Sequence, residues 1–185
     1  MREVSDEPTR LVERALRARR RDAYWRRVAR LQELGNRAVF DAVRHLLDSA
    51  DPVERRLGAD VLSELGFRRS PPPFRDESIA LLPLVEVEPD PGVLAAAVRA
   101  LARLGARSAL PVLAGLAGHP AVAVRLALAA ELSWCAWQDG VERPDEAVTA
   151  VLIGLSADPV AEVRSWACFG LAQSRADGAE VRKAL

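Results

Sequence analysis

Apolar residues recur along this chain at the three-to-four-residue spacing of helices that bury one side. The pattern is interrupted at regular places by turn residues, most often Asp-Pro. DPVERRLGADVLSELG from Asp51 aligns without a gap on DPGVLAAAVRALARLG from Asp90, 39 residues on, and HPAVAVRLALAAELSW from His119 aligns on DPVAEVRSWACFGLAQ from Asp158 at the same offset. The four starts stand 39, 29 and 39 residues apart, the length of a two-helix repeat.

The unit has a physical grammar. Asp51, Asp90 and Asp158 can accept from the free N–H groups of a following helix, and Pro at the next position has no N–H to leave unsatisfied. Further in, Arg55 with Leu62, Leu94 with Leu101, Arg125 with Leu132 and Arg164 with Leu171 share a spacing of seven, which puts both members on one helix face. Gly66 and Gly105 suit left-handed helix ends. A preceding helix is readable in each unit, over about 37–47, 77–85, 108–117 and 146–156. Pro83 and Pro111 fall inside two of these and predict kinks. The longer connections are 67–76 and 138–145, the first of them Pro-rich and stiff. Each pair is apolar over a face that it cannot bury alone, so neighbours must stack into an elongated array.

Before the array lies RALRARRRDAYWRRVAR, residues 14–30. The region around it reads as one interrupted helix or two helices that break near Arg21 and Asp22. The last stretch, DGAEVRKAL from Asp177, starts like the first helix of a fifth repeat. That predicts an incomplete repeat and an open C-terminal end, through which the chain could self-associate or continue.

With these residues in view the chain resembles HEAT-repeat proteins, whose units commonly carry Asp-Pro between their helices and Val-Arg near the start of the second. Here those are Asp158, Pro159, Val163 and Arg164. Val124 and Arg125 match in the third unit and Arg55 in the first. Leu94 replaces the Arg of the second unit and His119 the Asp of the third, so a ladder of Asp and Arg would be broken in the middle. The C-terminal segment from Val163 is also similar to bacterial HEAT proteins of the phycobilin-lyase type. The resemblance covers about residues 36–185. It implies an all-α fold: a right-handed α-solenoid of about four HEAT-like helix pairs, with an N-terminal helical cap over 1–35, a repeat array over 36–185, and second helices starting near 52, 91, 120 and 159. For function it implies a scaffold that mediates protein–protein interaction, because HEAT proteins are mostly adaptors.

Composition changes this picture little. Half the residues are apolar, enough for a core without disulfides or metals. The 26 basic and 26 acidic residues balance, so whole-chain charge argues for neither nucleic acid nor a membrane surface. Residues 1–37 nevertheless hold 11 Arg against 6 Asp and Glu. Two cysteines without metal-ligand spacing agree with a reducing compartment. No apolar run reaches 18 residues and the N-terminus is charged, so the expectation is a cytoplasmic protein with no membrane partner.

No phosphate loop, nucleophile elbow or paired-carboxylate motif is present, and the expectation is no enzyme and no cofactor. Iron-binding HEAT enzymes use repeated His-Glu pairs, whereas His45 precedes Leu46 and His119 precedes Pro120; these read as a surface residue and a helix cap. Cys135 and Cys168 read as small buried thiols. Arg55, Arg125 and Arg164 are the candidates for an inner seam, partly structural and partly open to acidic groups of an unidentified protein partner. Trp134 and Trp137 share a helix face and pack between repeats or face a ligand. HEAT-like DNA glycosylases cradle damaged bases with aromatic residues and an Asp. A glycosylase or lyase here would need a carboxylate beside these tryptophans, for which Asp139 and Glu131 are the near candidates. The alternative to a protein-binding scaffold is nucleic-acid binding through Arg19, Arg20, Arg21, Arg26 and Arg27, with Trp25 stacking on a base. A solvated basic face offset by the acidic remainder is the plainer account and is favoured.

Overall fold

In a computed structural model of the chain, the described residues are 6–65, 74, 77, 81–105, 107–137, 145–174 and 178–184. Eleven α-helices run through them: α1 Asp6–Leu16, α2 Arg21–Leu34, α3 Arg37–Arg44, α4 Pro52–Leu62, α5 Leu82–Val87, α6 Pro91–Arg103, α7 Leu110–Gly115, α8 Val122–Glu131, α9 Glu146–Leu155, α10 Ala161–Gln173 and α11 Ala179–Ala184. There is no strand among the described residues.

The helices form two layers. In the second-helix layer α2 packs on α4, α4 on α6, α6 on α8 and α8 on α10. In the first-helix layer α1 lies beside α3, α5 beside α7, α7 beside α9 and α9 beside α11. This is an all-α solenoid, and one continuous apolar core runs between its layers from Val12 to Val181. Leu57, Leu101, Leu128, Leu152 and Leu171 are fully buried along it, each contributing about 1.5–3 kcal/mol of burial.

Local chemistry explains most element starts. Asp51 Oδ1 accepts from Val53 N at 2.8 Å, and Asp90 Oδ1 from Gly92 N and Val93 N at 2.8 and 2.9 Å. These aspartates cap α4 and α6. Asp158 does not cap α10: the N-cap is Val160, two residues on, and the N-cap of α8 is Ala121, two residues past His119. His119 Nδ1 accepts from Ala121 N at 3.1 Å, so it closes the turn rather than capping the helix. The last two second helices thus begin at Val122 and Ala161. Pro83 and Pro111 do not kink their helices, because each stands in the first turn, where a missing N–H costs nothing. The first helices α5 and α7 are accordingly shorter than the sequence pattern predicts.

Gly105 takes φ 63, a left-handed helix end, and Gly35 ends α2 at φ 48. Gly66 and nearly all of the connections 67–76 and 138–145 lie outside the described residues. The N-terminal region forms two helices that break over 17–20, and Arg21 and Asp22 open α2 rather than interrupt it. This pair stacks on the array as a further helix pair would, burying Val12, Ala15, Val28 and Leu31 in the shared core.

Candidate partner-binding surface

The first candidates to place are the three arginines, each of which stands four residues past the N-cap of its helix. Arg55 Nη1 donates to the carbonyls of Ser49 and Ala50 at 2.8 and 3.0 Å, and Nε and Nη2 hold Glu88 at 2.6 and 2.8 Å. Arg125 repeats this: Nη1 on His119 O and Pro120 O at 2.8 and 3.1 Å, Nε and Nη2 on Asp158 at 2.6 and 3.2 Å. Planar bidentate geometry of this kind is what the guanidinium fork favours. Both pairs are largely buried, with side-chain exposures of 13% and 1% for Arg55 and Glu88 and 11% and 4% for Arg125 and Asp158. Their charges are spent on joining consecutive repeats. Arg164 makes the same two carbonyl contacts, to Asp158 O and Pro159 O at 2.8 and 3.0 Å, and no described carboxylate pairs with it.

The hydrogen bonds from Arg55 and Arg125, with their positive charge behind them, hold the Glu88 and Asp158 carboxyls below the usual carboxylate range. A depressed folded value means that the pair stabilises fully above the unfolded carboxylate's ordinary value, about 4, and that this contribution is lost as pH falls through the folded value. Urea unfolding from pH 7 to pH 3 is therefore expected to show Glu88→Gln less stable than the parent at neutral pH. The two curves should converge in acid; parallel curves would contradict the linkage.

The joint between α6 and α8 lacks this clasp, because Leu94 and His119 stand at its two positions. A different one replaces it. Arg103 Nε and Nη2 donate to Glu131 at 2.8 and 3.0 Å, and Arg103 also pairs with Glu64 on the other side. Glu131 is thereby committed to structure, and Asp139, the other carboxylate considered beside the tryptophans, lies outside the described residues.

Counting from the N-caps of α4, α6, α8 and α10 puts the residues of the second-helix layer into rows. Nine residues in stand Asp60, Arg99, Ala130 and Phe169; thirteen in stand Glu64, Arg103, Trp134 and Gln173; six in stand Leu57, Ala96, Ala127 and Trp166. In the first two repeats the first two of these rows hold charges that satisfy one another, while Leu57 and Ala96 of the third are buried in the core. Asp60 is fully buried, with Oδ1 accepting from Arg99 and Oδ2 from the Tyr24 hydroxyl, both at 2.8 Å, and with Arg56 at 3.5 Å. In the last two repeats the rows become apolar or neutral. Trp166 is 41% and Phe169 55% exposed, and their rings meet edge-to-face at 5.8 Å. Trp134, in the 3-10 turn after α8, is half-buried in the row of Gln173. Gln173 Oε1 accepts from Ser133 at 2.9 Å and is thereby fixed beside it.

Phe169 escapes a sequence reading because WACFGLAQ looks like uniform core; only the helix register separates it from buried Ala167 and Leu171. The side chain of Trp137 lies outside the description. At the other end, Trp25 packs edge-on against Tyr24 at 5.3 Å and is 36% exposed. Arg20 and Arg26 flank Asp22 at 3.7 and 3.1 Å, and Arg27 donates to Ala23 O at 3.2 Å. Arg19 and Arg21 are exposed and form no ion pair with a described residue. Cys135 is buried, its thiol on Ala102 O at 3.5 Å, and Cys168 is half-buried against Ala184 O at 3.3 Å. Among the described residues no group of three His, Cys, Asp or Glu side chains could hold a metal ion, and no helix is long and apolar enough to cross a membrane.

The family model for HEAT repeats matches residues 79–183. This chain belongs to the HEAT-repeat family. Among solved structures, the X-ray structure of YibA from Escherichia coli is similar in fold, with a TM-score of 0.71 at 17% identity. The match covers 98% of this chain and 65% of that one, so this HEAT protein spans about two-thirds of the length of YibA. No curated protein matches by sequence. HEAT repeats commonly serve as scaffolds for protein interaction and are generally non-catalytic.

Proposed function

We propose that this HEAT protein is a non-catalytic, cytoplasmic scaffold that binds a protein segment across its second-helix layer, anchored at the C-terminal half by Trp166 and Phe169. One observation carries the reading: two large aromatic side chains stand exposed together on α10, Phe169 in a row where the first two repeats place mutually satisfied charges and Trp166 in a row that is buried and apolar in the preceding repeats. Exposed aromatic pairs beside small residues such as Ala130 are typical binding anchors, since burying them on a partner recovers much apolar area. Arg55 and Arg125 move from contact residues to joint residues in this account.

The test is capture of partners from the native cytosol, with and without nuclease, using the parent protein and a Trp166→Ala/Phe169→Ala double variant. Both side chains are exposed, so the fold should be retained. The expected result is a discrete protein that survives nuclease and whose affinity falls by a factor of about 30 or more in the variant, as loss of an anchor of about 2 kcal/mol requires. Capture that disappears with nuclease would instead favour nucleic-acid binding through the exposed Arg19 and Arg21 beside Trp25. That mode would also weaken steeply with salt.

A further inference from the structure

Charge is unevenly spread where α4 meets α6. Two arginines converge on the Asp60 carboxylate, Arg99 from α6 at 2.8 Å and Arg56 from its own helix at 3.5 Å. One negative charge is thus shared between two positive ones, and the other group on the carboxylate, the Tyr24 hydroxyl, is neutral. Among the described residues no second acid pairs with either arginine. The Asp60 side chain is 0% exposed, while Arg56 keeps 50% and Arg99 27%. What reaches solvent here is therefore guanidinium. Arg56 extends over the head of α6, where its Nη1 would lie 3.5 Å from a Cβ at Gly92. Asp60 engages Nη2 of Arg99 and Nε of Arg56, which leaves the remaining nitrogens of both forks for a ligand. Four residues further along both helices the balance reverses, because Arg103 lies between Glu64 and Glu131. The positive surplus is confined to Arg56 and Arg99. In the row of Asp60 and Arg99, on α10, stands Phe169 with Trp166 against it, and Ala130 of α8 is too small to interrupt the path between them.

We propose, resting on the aromatic anchor at Trp166 and Phe169 proposed above, that the bound protein segment is acidic. It seats an apolar residue on those two rings and an Asp or Glu on the exposed faces of Arg56 and Arg99. A carboxylate there neutralises the surplus charge and takes paired N–H donors. A basic segment would bring a third positive charge to two that already share one acid, which like-charge repulsion disfavours. The spacing follows from the stacking of the helices. Packed helices stand about 8–10 Å apart, so Arg99 on α6 and Phe169 on α10 are about 16–20 Å apart across α8. An extended chain advances about 3.3 Å per residue, so the acid falls about five or six residues from the apolar anchor.

A phage-displayed library of random peptides, panned on the immobilised 185-residue protein, supplies the probe. Enrichment is expected for peptides with one large apolar residue and an Asp or Glu about five or six positions away. The strongest of them, synthesised with a fluorophore and followed by anisotropy, should bind Arg56→Gln about tenfold more weakly than the parent. Replacing the peptide's acid by its amide should cost the same factor, and the two changes together little more than either. Arg56→Lys should recover only part, because the charge returns without the fork. Circular dichroism of Arg56→Gln should match the parent, since the side chain is half-exposed and Asp60 keeps Arg99 and Tyr24. Selected peptides without an acid, or peptides indifferent to Arg56→Gln yet lost on Trp166→Ala/Phe169→Ala, would overturn the acidic segment and leave the anchor standing. Peptides indifferent to the aromatic pair, or no enrichment at all, would overturn both.

Discussion

Gly58→Val is expected to destabilise the protein by about 3 kcal/mol or more and to shift the urea midpoint without loss of α10 packing. A Cβ at Gly58 would lie 2.9 Å from the Val43 carbonyl oxygen, 2.9 Å from Leu47 Cδ2 and 3.3 Å from Leu46 Cβ. The leucine methyl can rotate away. The backbone carbonyl cannot, because it belongs to the first helix on which α4 rests. Gly58→Ala sets this clash against a helix-propensity gain of about 1 kcal/mol, so it should fall between the parent and valine. Gly170 is the control. Its Cβ would meet Leu152 methyls at 3.2 and 3.4 Å and Ala129 O at 3.4 Å, contacts that a side chain can relax, and Gly170→Ala should stay within about 1 kcal/mol of the parent. A Gly58→Val protein with the parent's midpoint would mean that α3 and α4 do not pack this closely in solution.

Arg99→Met should rank next, at about 3 kcal/mol, because among the described residues it leaves the fully buried Asp60 carboxylate with the Tyr24 hydroxyl and the half-exposed Arg56. Tyr24→Phe removes a hydrogen bond to a charged acceptor and should cost about 1.5–3 kcal/mol. If the cost of Arg99→Met comes from the stranded carboxylate, adding Asp60→Leu should recover much of it. A double variant no more stable than the single would reject that account. Tyr24 also offers a direct readout, since it is the only tyrosine. Burial, then the negative charge of Asp60 and the hydrogen bond to it, push its phenol well above the ordinary value. A raised folded value favours the protonated ring, so stability from this group is complete below about pH 10 and is lost as the pH rises further. The tyrosinate absorbance should therefore appear only together with unfolding.

The Asp51 and Asp90 caps were readable from the amino-acid string because their chemistry is local: a carboxylate, a Pro without an N–H and an apolar period within one turn. The register of the last two second helices was not readable from Asp-Pro. There the Asp158 carboxylate goes to Arg125, 33 residues away, and the helix starts two residues later. The better ruler was the arginine, which follows the aligned start by four residues at Asp51 but by six at His119 and Asp158. Counting back from Arg55, Arg125 and Arg164 recovers the N-caps Asp51, Ala121 and Val160. The same ruler separates Phe169 from the core and puts it in the row of Asp60 and Arg99. What the string could not show was which arginines are spent. That depends on Glu88 and Asp158, which differ in type and are matched to their arginines only by the stacking of whole repeats. Asp60 was invisible for a related reason: a carboxylate inside an apolar run looks like a solvated face until Tyr24 and Arg99 arrive from both neighbours.

Each clasp between second helices reaches only to the adjacent repeat, and so does the packing around it. Such a molecule need not open all at once. Amide exchange should be slowest in α6, which is held from both sides, and should quicken towards α2 and α10. Tension applied to the two ends should likewise release helix pairs in succession from the margins, each step lengthening the chain by one repeat while the middle stays shut. A bound segment lying across several second helices would tie those steps together, making the HEAT array stiffer when occupied than when empty.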